Sequence, residues 1–242
     1  MDFLEFDALF CKACEKNGIE LLLETQRDLF YRFTAHLMAV NQVTNLTAIR
    51  NIPDVIDKHY VDSLFALSLI PKNARVLDLG CGPGFPSIPL AIARPDLSIV
   101  ALDSTAKKIA FVNESVKLLE LSNLTAYAGR AEDAAVMKQL SKFDVVVSRA
   151  VANMRVLTEL CLPYVKVEGV LLAMKAAKAE EELLDAGNAI RVLGGAKTAL
   201  CSRDLKTANG TTETRCLITI QKEKNTPTGY PRAYATILKK PL

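Results

Sequence analysis

The amino-acid sequence predicts an α/β fold in which a doubly wound, mostly parallel sheet follows a small helical region. After Pro71, short Val, Ile and Leu runs alternate with helical patterns, which is typical of parallel strands covered on both faces. Residues 1–70 instead show apolar residues at helical spacing. The last two predicted strands are joined by a polar loop too short for a helical crossover, so they are expected to form a hairpin with one antiparallel strand.

Residues 1–70 are predicted to form a helical N-terminal region. The last predicted helices of this region lie between Pro53 and Pro71, because proline interrupts a helix. A polar loop is expected over residues 41–51. The first predicted helix ends at Lys16, before a break at Asn17 and Gly18. The other predicted helices cover about 20–40, 54–58 and 63–69.

Residues 71–225 are predicted to form the main domain, with seven strands and intervening helices. Residues 226–242 are basic and contain prolines, which favours an extended segment on the surface. The predicted strands cover 75–79, 98–102, 124–128, 144–148, 169–175, and, in the hairpin, about 197–201 and 215–221. The predicted helices cover about 87–93, 106–119, 134–140, 154–165 and 180–192.

Composition and charge exclude several classes of protein. The 242 residues are 50% hydrophobic and carry a net charge of +3, which is typical of a globular protein and too balanced for one that coats DNA. No apolar run has the length of a spanning helix, and the acidic N-terminal sequence is unlike a signal peptide. Six unclustered cysteines fit a reducing compartment. We therefore expect a cytoplasmic protein that contacts neither DNA nor a membrane.

Hydrolytic, metal and redox chemistry have few candidate residues. The chain has two histidines, His36 and His59, so a Ser-His-Asp or Cys-His mechanism would need one of them. Cys11 and Cys14 form a Cys-x-x-Cys pair, but no second pair completes a zinc site. Their spacing with neighbouring phenylalanines instead indicates the apolar face of a helix, and no metal is expected.

A glycine-rich turn after the first predicted strand carries the clearest chemical signal. Asp78, Gly80, Gly82 and Gly84 form the pattern Asp-x-Gly-x-Gly-x-Gly, in which glycines let the backbone approach a ligand closely. Asp103 lies 23 residues beyond Gly80, at the next strand end, where a carboxylate can bind both hydroxyls of a ribose.

The turn also discriminates between cofactors. A dinucleotide fingerprint needs a third glycine where the helix begins, and Phe85 occupies that position. The pattern instead resembles motif I of class I S-adenosylmethionine-dependent methyltransferases, whose cofactor has no phosphate. Ala131 and Glu132 follow the third strand, where such enzymes surround the adenine ring, although Glu132 could also be a first-turn helix charge.

The segment after the fourth strand bears on the methylated atom. It reads Ser-Arg-Ala-Val from Ser148 and lacks both the Asp/Asn-Pro-Pro-Tyr signature of amino-methyltransferases and the Pro-Cys nucleophile of cytosine C5 enzymes. Guanine N7 has an unprotonated lone pair, so its methylation requires orientation and desolvation but no general base. The sequence is therefore compatible with an N7 target.

In order along the chain, these motifs resemble the RsmG (GidB) family of bacterial small-subunit ribosomal RNA guanine-N7 methyltransferases. The resemblance covers nearly the whole chain, from Asn45-Leu46-Thr47 through the glycine turn to Tyr230-Pro231-Arg232 and the closing residues. Ser87 is one departure, since the family often has glycine there. The resemblance implies a guanine target in the decoding region of 16S rRNA. It also implies that S-adenosylmethionine contacts lie at Gly80, Phe85, Asp103, Ala131, Glu132 and Arg149.

Substrate contacts are expected at polar and basic residues, each of which also has a structural interpretation. His59 and Asp62 could brace the helical region against the sheet, and Asn45 could be a turn residue or helix cap. Lys175 could bind a phosphate or guanine O6, or cap its strand. The substrate-side candidates are Asn45, His59, Lys107, Lys108, Lys175 and Arg232.

Two other functions stay open at this point. The chain could be an S-adenosylmethionine-dependent methyltransferase that acts on a different RNA, a small molecule or a protein. It could also be a non-catalytic RNA-binding remnant of the fold, although an intact glycine turn, Asp103 and Arg149 argue against that. For the rRNA enzyme, the expected partner is small-subunit rRNA within the small ribosomal subunit or an assembly intermediate.

Overall fold

A computed structural model describes residues 1–149 and 152–242 and contains a seven-stranded sheet with the order β3-β2-β1-β4-β5-β7-β6. Strands β1 to β5 pair in parallel, whereas β7 runs antiparallel to both of its neighbours, β5 and β6. The predicted doubly wound sheet with a terminal hairpin is confirmed. The strands are β1 (Arg75–Leu79), β2 (Ser98–Asp103), β3 (Leu124–Ala128), β4 (Phe143–Arg149), β5 (Val165–Lys175), β6 (Gly195–Lys206) and β7 (Thr212–Lys222).

The hairpin strands are longer than their sequence pattern predicted. The pattern places them at 197–201 and 215–221, whereas β6 and β7 extend until only residues 207–211 separate them. Most of β6 is exposed on both faces because it is the edge of the sheet. Its Lys, Ser, Arg and Asp residues therefore carry none of the apolar alternation that identifies a half-buried strand.

The helices of the sheet domain follow the predicted positions closely. The segment predicted as one helix over 180–192 consists of two short helices separated at Ala186. These helices are α5 (Ser87–Ala93), α6 (Ala106–Leu118), α7 (Ala134–Leu140), α8 (Met154–Cys161) with a following 3₁₀ turn (Leu162–Tyr164), α9 (Ala179–Asp185) and α10 (Gly187–Val192).

Two long helices open the chain, α1 (Phe3–Lys16) and α2 (Glu24–Thr44). Asp2 caps α1, because its Oδ1 accepts from the Glu5 amide at 2.9 Å while the Glu5 carboxylate accepts from the Asp2 amide at 3.2 Å. α2 begins and ends about four residues later than predicted. It stops at Asn45, which has φ 49° and so adopts the left-handed conformation that terminates helices.

A continuous helical stretch follows α2 and carries two candidate site residues. α3 (Ile52–Val55) continues directly into a π-helix (Ile56–Val61) and α4 (Asp62–Leu64), and a 3₁₀ turn follows at Leu67–Leu69. The sequence pattern predicts two separate helices over about 54–58 and 63–69, whereas the structure has one unbroken stretch from Ile52 to Leu64. π-Helical turns are rare and frequently occur at functional sites, and this one contains His59.

Two buried clusters cover the two faces of the sheet. One combines aromatic side chains of the N-terminal helices, including Phe10, Phe30 and Tyr60, with residues of α5, α6 and the sheet. The other contains α8, α9, α10 and the opposite sheet face. The N-terminal helices thus share their hydrophobic core with the sheet, which fixes the π-helix against the carboxyl ends of the strands.

The last segment, predicted to be extended, contains a helix, α11 (Tyr234–Lys239). Ile237 is fully buried against the second cluster, and the Arg155 guanidinium donates to the Pro241 and Leu242 carbonyl oxygens at 2.7 Å. Of the three prolines that suggested an extended chain, Pro227 and Pro231 precede the helix and Pro241 follows it. Within the described residues, no helix combines the length and apolar character needed to cross a membrane.

Candidate active site

A cavity of about 970 Å³ lies outside the carboxyl ends of the strands. The strand order reverses between β1 and β4, and ligands of open α/β sheets bind at such a switch point. Ten of the predicted site residues line this one cavity: Gly80, Gly82, Phe85, Asp103, Ala131, Glu132, Arg149, His59, Lys108 and Lys175.

The glycine turn after β1 borders the cavity with its backbone. Gly80, Gly82 and Gly84 have φ of 78°, 56° and 99°, a region that favours glycine. A Cβ at Gly82 would meet no atom within 4 Å, so this backbone faces open space. A Cβ at Gly84 would lie 2.5 Å from Ile88 Cδ1. Gly84 does not line the cavity, and the structure gives it a role in packing α5 below the turn.

Asp103 ends β2 and holds the turn in place. Its Oδ2 accepts from the Gly82 amide at 2.9 Å, and its Oδ1 accepts from the Thr105 amide at 2.8 Å. The carboxylate is half-buried and borders the cavity. Asp103 can therefore anchor the turn and present its remaining lone pairs to a ligand.

Asp78 in β1 and Cys81 within the turn are both unsuited to act as reactive groups. Asp78 is fully buried, its Oδ2 accepts from the Ser87 amide at 2.9 Å, and burial raises the pKa of its carboxyl to about 7. Burial likewise raises the pKa of the Cys81 thiol well above its ordinary value, so the reactive thiolate is disfavoured. Ser87 contributes its backbone amide to this contact, so the contact does not depend on the side chain at this position.

These features fit S-adenosylmethionine. The backbone at Gly82 faces open space, so the methionine end of the cofactor can approach it closely, and Asp103 can accept from ribose hydroxyls. Ala131 and Glu132, between β3 and α7, line the cavity where an adenine ring is expected, and Glu132 is paired with Arg130 at 3.3 Å. When bound there, the cofactor supplies an electrophilic methyl group.

His59, Phe85 and Arg149 form a stacked wall of the cavity. The His59 ring lies parallel to Phe85, with centroids 4.2 Å apart, and the Arg149 guanidinium lies 5.5 Å from the Phe85 ring centre. Arg149 also donates to Lys58 O at 2.8 Å and contacts His59 Nδ1 at 3.1 Å. His59 Nε2 lies 2.9 Å from Thr47 Oγ1. Because guanidinium only donates, Nδ1 accepts and Nε2 carries the proton.

The environment of His59 predicts an acid-sensitive fold. Burial, and then the charge of Arg149, lower the pKa of His59 from 6.5 to about 3. Below pH 6.5 the unfolded chain binds a proton that the folded protein does not, so stability falls with falling pH, by at most about 1.4 kcal/mol per pH unit for this group. The unfolding free energy of the wild-type protein should therefore fall between pH 7.5 and pH 5. We expect this fall to be about 2 kcal/mol smaller in His59→Gln. Denaturant titrations of both proteins measure this, and identical pH slopes would contradict it.

Asp62 and Arg215 connect the N-terminal helices to the hairpin at the cavity. Asp62 Oδ2 accepts from Arg149 at 2.9 Å and its Oδ1 contacts Arg215 at 3.1 Å. Lys58 and Arg215 in turn pair with Glu213 at 3.0 and 2.7 Å. The bracing interpretation of Asp62 is therefore the one that the structure supports. The sequence does not identify Arg215 and Glu213 as site residues, because charged residues at a strand end are common.

Lys175 ends β5 in contact with two acceptors. Its Nζ donates to Ala152 O at 2.6 Å and pairs with Glu182 Oε2 at 2.7 Å. Glu182 lies on α9 in an acidic run, which by sequence alone is an ordinary first helical turn. The two side chains line the cavity together.

Three predicted substrate residues do not line the cavity. Asn45 ends α2 and accepts from Arg50 Nη2 at 2.8 Å, which supports its interpretation as a helix-terminating residue. Lys107 is exposed, and its Nζ donates to Thr44 O at 3.3 Å. Arg232 binds the fully buried Glu159 through Nε at 2.7 Å and Nη2 at 2.6 Å. Arg232 therefore forms a structural ion pair, and its contact with RNA stays a prediction.

We expect Arg232→Ala to destabilise the fold by about 3 kcal/mol, because it leaves the carboxylate of Glu159 buried without its cation and with only the backbone amide of residue 232 donating to it. Lys239→Ala, an exposed basic change in the same segment, should change the unfolding free energy by less than about 0.5 kcal/mol. Denaturant unfolding of the two variants compares them directly. Equal stability of the two would show that Arg232 is not needed to compensate Glu159.

Fold and site together define a class I S-adenosylmethionine-dependent methyltransferase. An O-methyltransferase from Bacillus cereus in complex with SAH is similar with a TM-score of 0.55 and 15% identity, over 91% of this chain and 100% of that chain. A precorrin-6y C5,15-methyltransferase from Geobacter metallireducens gives a TM-score of 0.52 and 19% identity, over 75% and 93% of the two chains. These likenesses support the fold.

Sequence comparison adds the family. Residues 26–208 match the GidB family, described as rRNA small subunit methyltransferase G. A ribosomal RNA small subunit methyltransferase G from Clostridium botulinum (strain Alaska E43 / Type E3) is 40% identical over 99% of this chain and 100% of its own length. Another from Lachnoclostridium phytofermentans is 46% identical over 98% and 97%. The chain therefore belongs to the rRNA small subunit methyltransferase G family, as its motifs indicated.

Proposed function

We propose that this protein transfers a methyl group from S-adenosylmethionine to N7 of a guanine in the decoding region of small-subunit ribosomal RNA. The family supports the RNA substrate, and the chemistry of the cavity supports the atom. Gly80, Gly82, Phe85, Asp103, Ala131, Glu132 and Arg149 are proposed to hold the cofactor.

The observation that carries the N7 assignment is that no acidic side chain that the described residues bring to the cavity stands as an unpaired base, although Glu182 leaves its Oε1 without a hydrogen bond. Asp62, Glu132, Glu182 and Glu213 each pair with a cation, and Asp103 accepts from two backbone amides. An exocyclic amine must lose a proton during methylation and needs a base positioned to take it. Guanine N7 needs none, because its lone pair forms the new bond while every proton stays on the base.

His59 does not supply the missing base in this proposal. Both ring nitrogens are engaged, by Thr47 and Arg149, and its pKa of about 3 leaves it a weak proton acceptor at neutral pH. The roles left to the protein are to orient the base and exclude water. His59 and Arg149 are therefore assigned to positioning.

Basic residues at the rim are proposed to receive the RNA backbone. Lys108 lines the cavity and Lys107 lies beside it at the start of α6. Both lie near the carboxyl end of β2, where phosphates flanking an extruded nucleotide would pass. Extrusion is expected, because an enzyme reaches a base atom in structured RNA by taking the nucleotide out of its stack.

The proposed function is tested with methyl-labelled S-adenosylmethionine and small ribosomal subunits that lack the modification, with protein-free rRNA as a parallel substrate. N7 methylation leaves a cationic, labile imidazole ring, so borohydride and aniline should cleave the labelled RNA at one guanine. RNA treated without the protein is the control. Label without cleavage would indicate an amine or carbon target, and absence of label from both substrates would reject rRNA as the substrate.

A further inference from the structure

Besides the proposed cofactor residues, the cavity has a second wall, formed where β5 ends beside the middle of β7 and by residues of α8, α9 and α11. This wall combines apolar and aromatic side chains with one ion pair. Its apolar members are Leu160, Met174, Leu217 and Tyr234, and its ion pair is Lys175 with Glu182. A flipped base is bound in such surroundings, where stacking surfaces flank a few polar groups that read its edge.

Glu182 uses only one of its carboxylate oxygens within the protein. Oε2 pairs with Lys175 Nζ at 2.7 Å and accepts from the Met154 amide at 3.0 Å. Oε1 accepts no hydrogen bond from residues 1–149 or 152–242, and the side chain is 28% exposed. Lys175 donates to Glu182 and Ala152 O, which leaves one of its three ammonium protons for another acceptor.

The other carboxylates of this region are committed on both oxygens. Asp62 contacts Arg149 through Oδ2 and Arg215 through Oδ1. Glu213 contacts Lys58 through Oε1 and Arg215 through Oε2. Glu182 is therefore the carboxylate at this wall best able to bind a further donor.

We propose that the Glu182–Lys175 pair reads the Watson–Crick edge of the target guanine, with Glu182 Oε1 accepting from the 2-amino and N1 protons and Lys175 donating to O6. This inference rests on the proposed function. Guanine presents those two donors next to that acceptor, whereas adenine presents an unprotonated N1 that a carboxylate repels. N7 lies on the other side of the base, so a base held by this edge keeps N7 free to react.

The 2-amino group provides the test, because inosine lacks it but keeps O6, N1–H and N7. We compare target RNAs that carry guanosine or inosine at the modified position and measure kcat/KM for N7 methylation. The wild-type protein should methylate guanosine about 10- to 100-fold better than inosine, the scale of losing a hydrogen bond to a charged group.

Glu182→Gln should remove this discrimination. The variant keeps an oxygen for the Met154 amide and Lys175, and places an amide donor opposite the donors of guanine. We expect the guanosine-to-inosine ratio to fall below about 3, with most of the loss on guanosine. Glu181→Gln is the matched control, because it makes the same change at an exposed position of α9 and should keep the wild-type ratio.

A purely structural role of Glu182 predicts a different result, namely equal losses on guanosine and inosine with an unchanged ratio, and that result overturns the inference. Equal wild-type rates on guanosine and inosine also overturn it, even if the variant does not fold, and leave N7 methylation itself intact. Failure of the wild-type protein to form N7-methylguanine in the guanosine RNA rejects the proposed function and this inference with it.

Discussion

Asp103→Ala is expected to weaken binding of S-adenosylmethionine by about 100-fold. Loss of hydrogen bonds to a charged group costs about 1.5–3 kcal/mol, which corresponds to roughly 10- to 150-fold at about 1.4 kcal/mol per tenfold. The structure places the effect near the upper end, because the same carboxylate also holds the Gly82 and Thr105 amides. Titration calorimetry with S-adenosylmethionine measures the dissociation constant.

The matched control for Asp103→Ala is Asp133→Ala. Asp133 also accepts a backbone hydrogen bond, from the Ala135 amide at 3.1 Å, but it is exposed and does not line the cavity. Its variant should bind the cofactor normally. If Asp103→Ala also binds normally, Asp103 serves only its contacts with the Gly82 and Thr105 amides and the ribose lies elsewhere.

Arg149→Ala is expected to lower kcat/KM for methylation at least about 100-fold while the product stays N7-methylguanine. Arg149 joins the Lys58 carbonyl, the Asp62 carboxylate and the His59 ring beside Phe85. Its loss frees the whole stacked wall, and displacements of about 1 Å in an active site can cost about 100-fold in rate. The regiochemistry should persist because Arg149 moves no proton in the proposed reaction.

Lysine should not rescue this position. Arg149 reaches its three acceptors with a planar guanidinium, and a lysine ammonium lacks that fixed fork. We therefore expect Arg149→Lys to recover less than about one tenth of wild-type kcat/KM, whereas Arg203→Ala, an exposed change on β6, should match wild type. Rates within about threefold of wild type for Arg149→Ala, or a methyl group on another atom, would reject the positioning role.

The cofactor half of the site could be predicted from sequence because its physical causes are local. Gly80 and Gly82 need positive φ within a few residues of a buried strand, and that requirement leaves a recognisable pattern. Asp103 follows from the length of one βα unit, which brings consecutive parallel strand ends to the same edge. These residues were expected together and line one cavity.

The other half depends on contacts between distant parts of the chain, which no local pattern encodes. Nothing in the sequence distinguishes Glu182 from the other acidic residues in the first turn of α9, and only the packing of that helix brings it to Lys175. Arg232 is predicted to contact RNA, and its ion pair with the buried Glu159, 73 residues earlier, has no counterpart in the local sequence. The local sequence around a charged residue is similar whether that residue is exposed or buried. The roles of Glu182 and Arg232 therefore follow only from the residues that they contact in the fold.

The most direct test of the central claim replaces the methylated guanine with 7-deazaguanine in otherwise identical RNA. This change substitutes C–H for N7 and keeps the Watson–Crick edge, so the RNA should still bind while transfer of labelled methyl falls to background at that nucleotide. RNA assembled in the same way with unmodified guanine is the control and should be methylated fully. Methyl transfer to the 7-deazaguanine nucleotide at a rate near the control would contradict the account, because the only proposed nucleophile is absent.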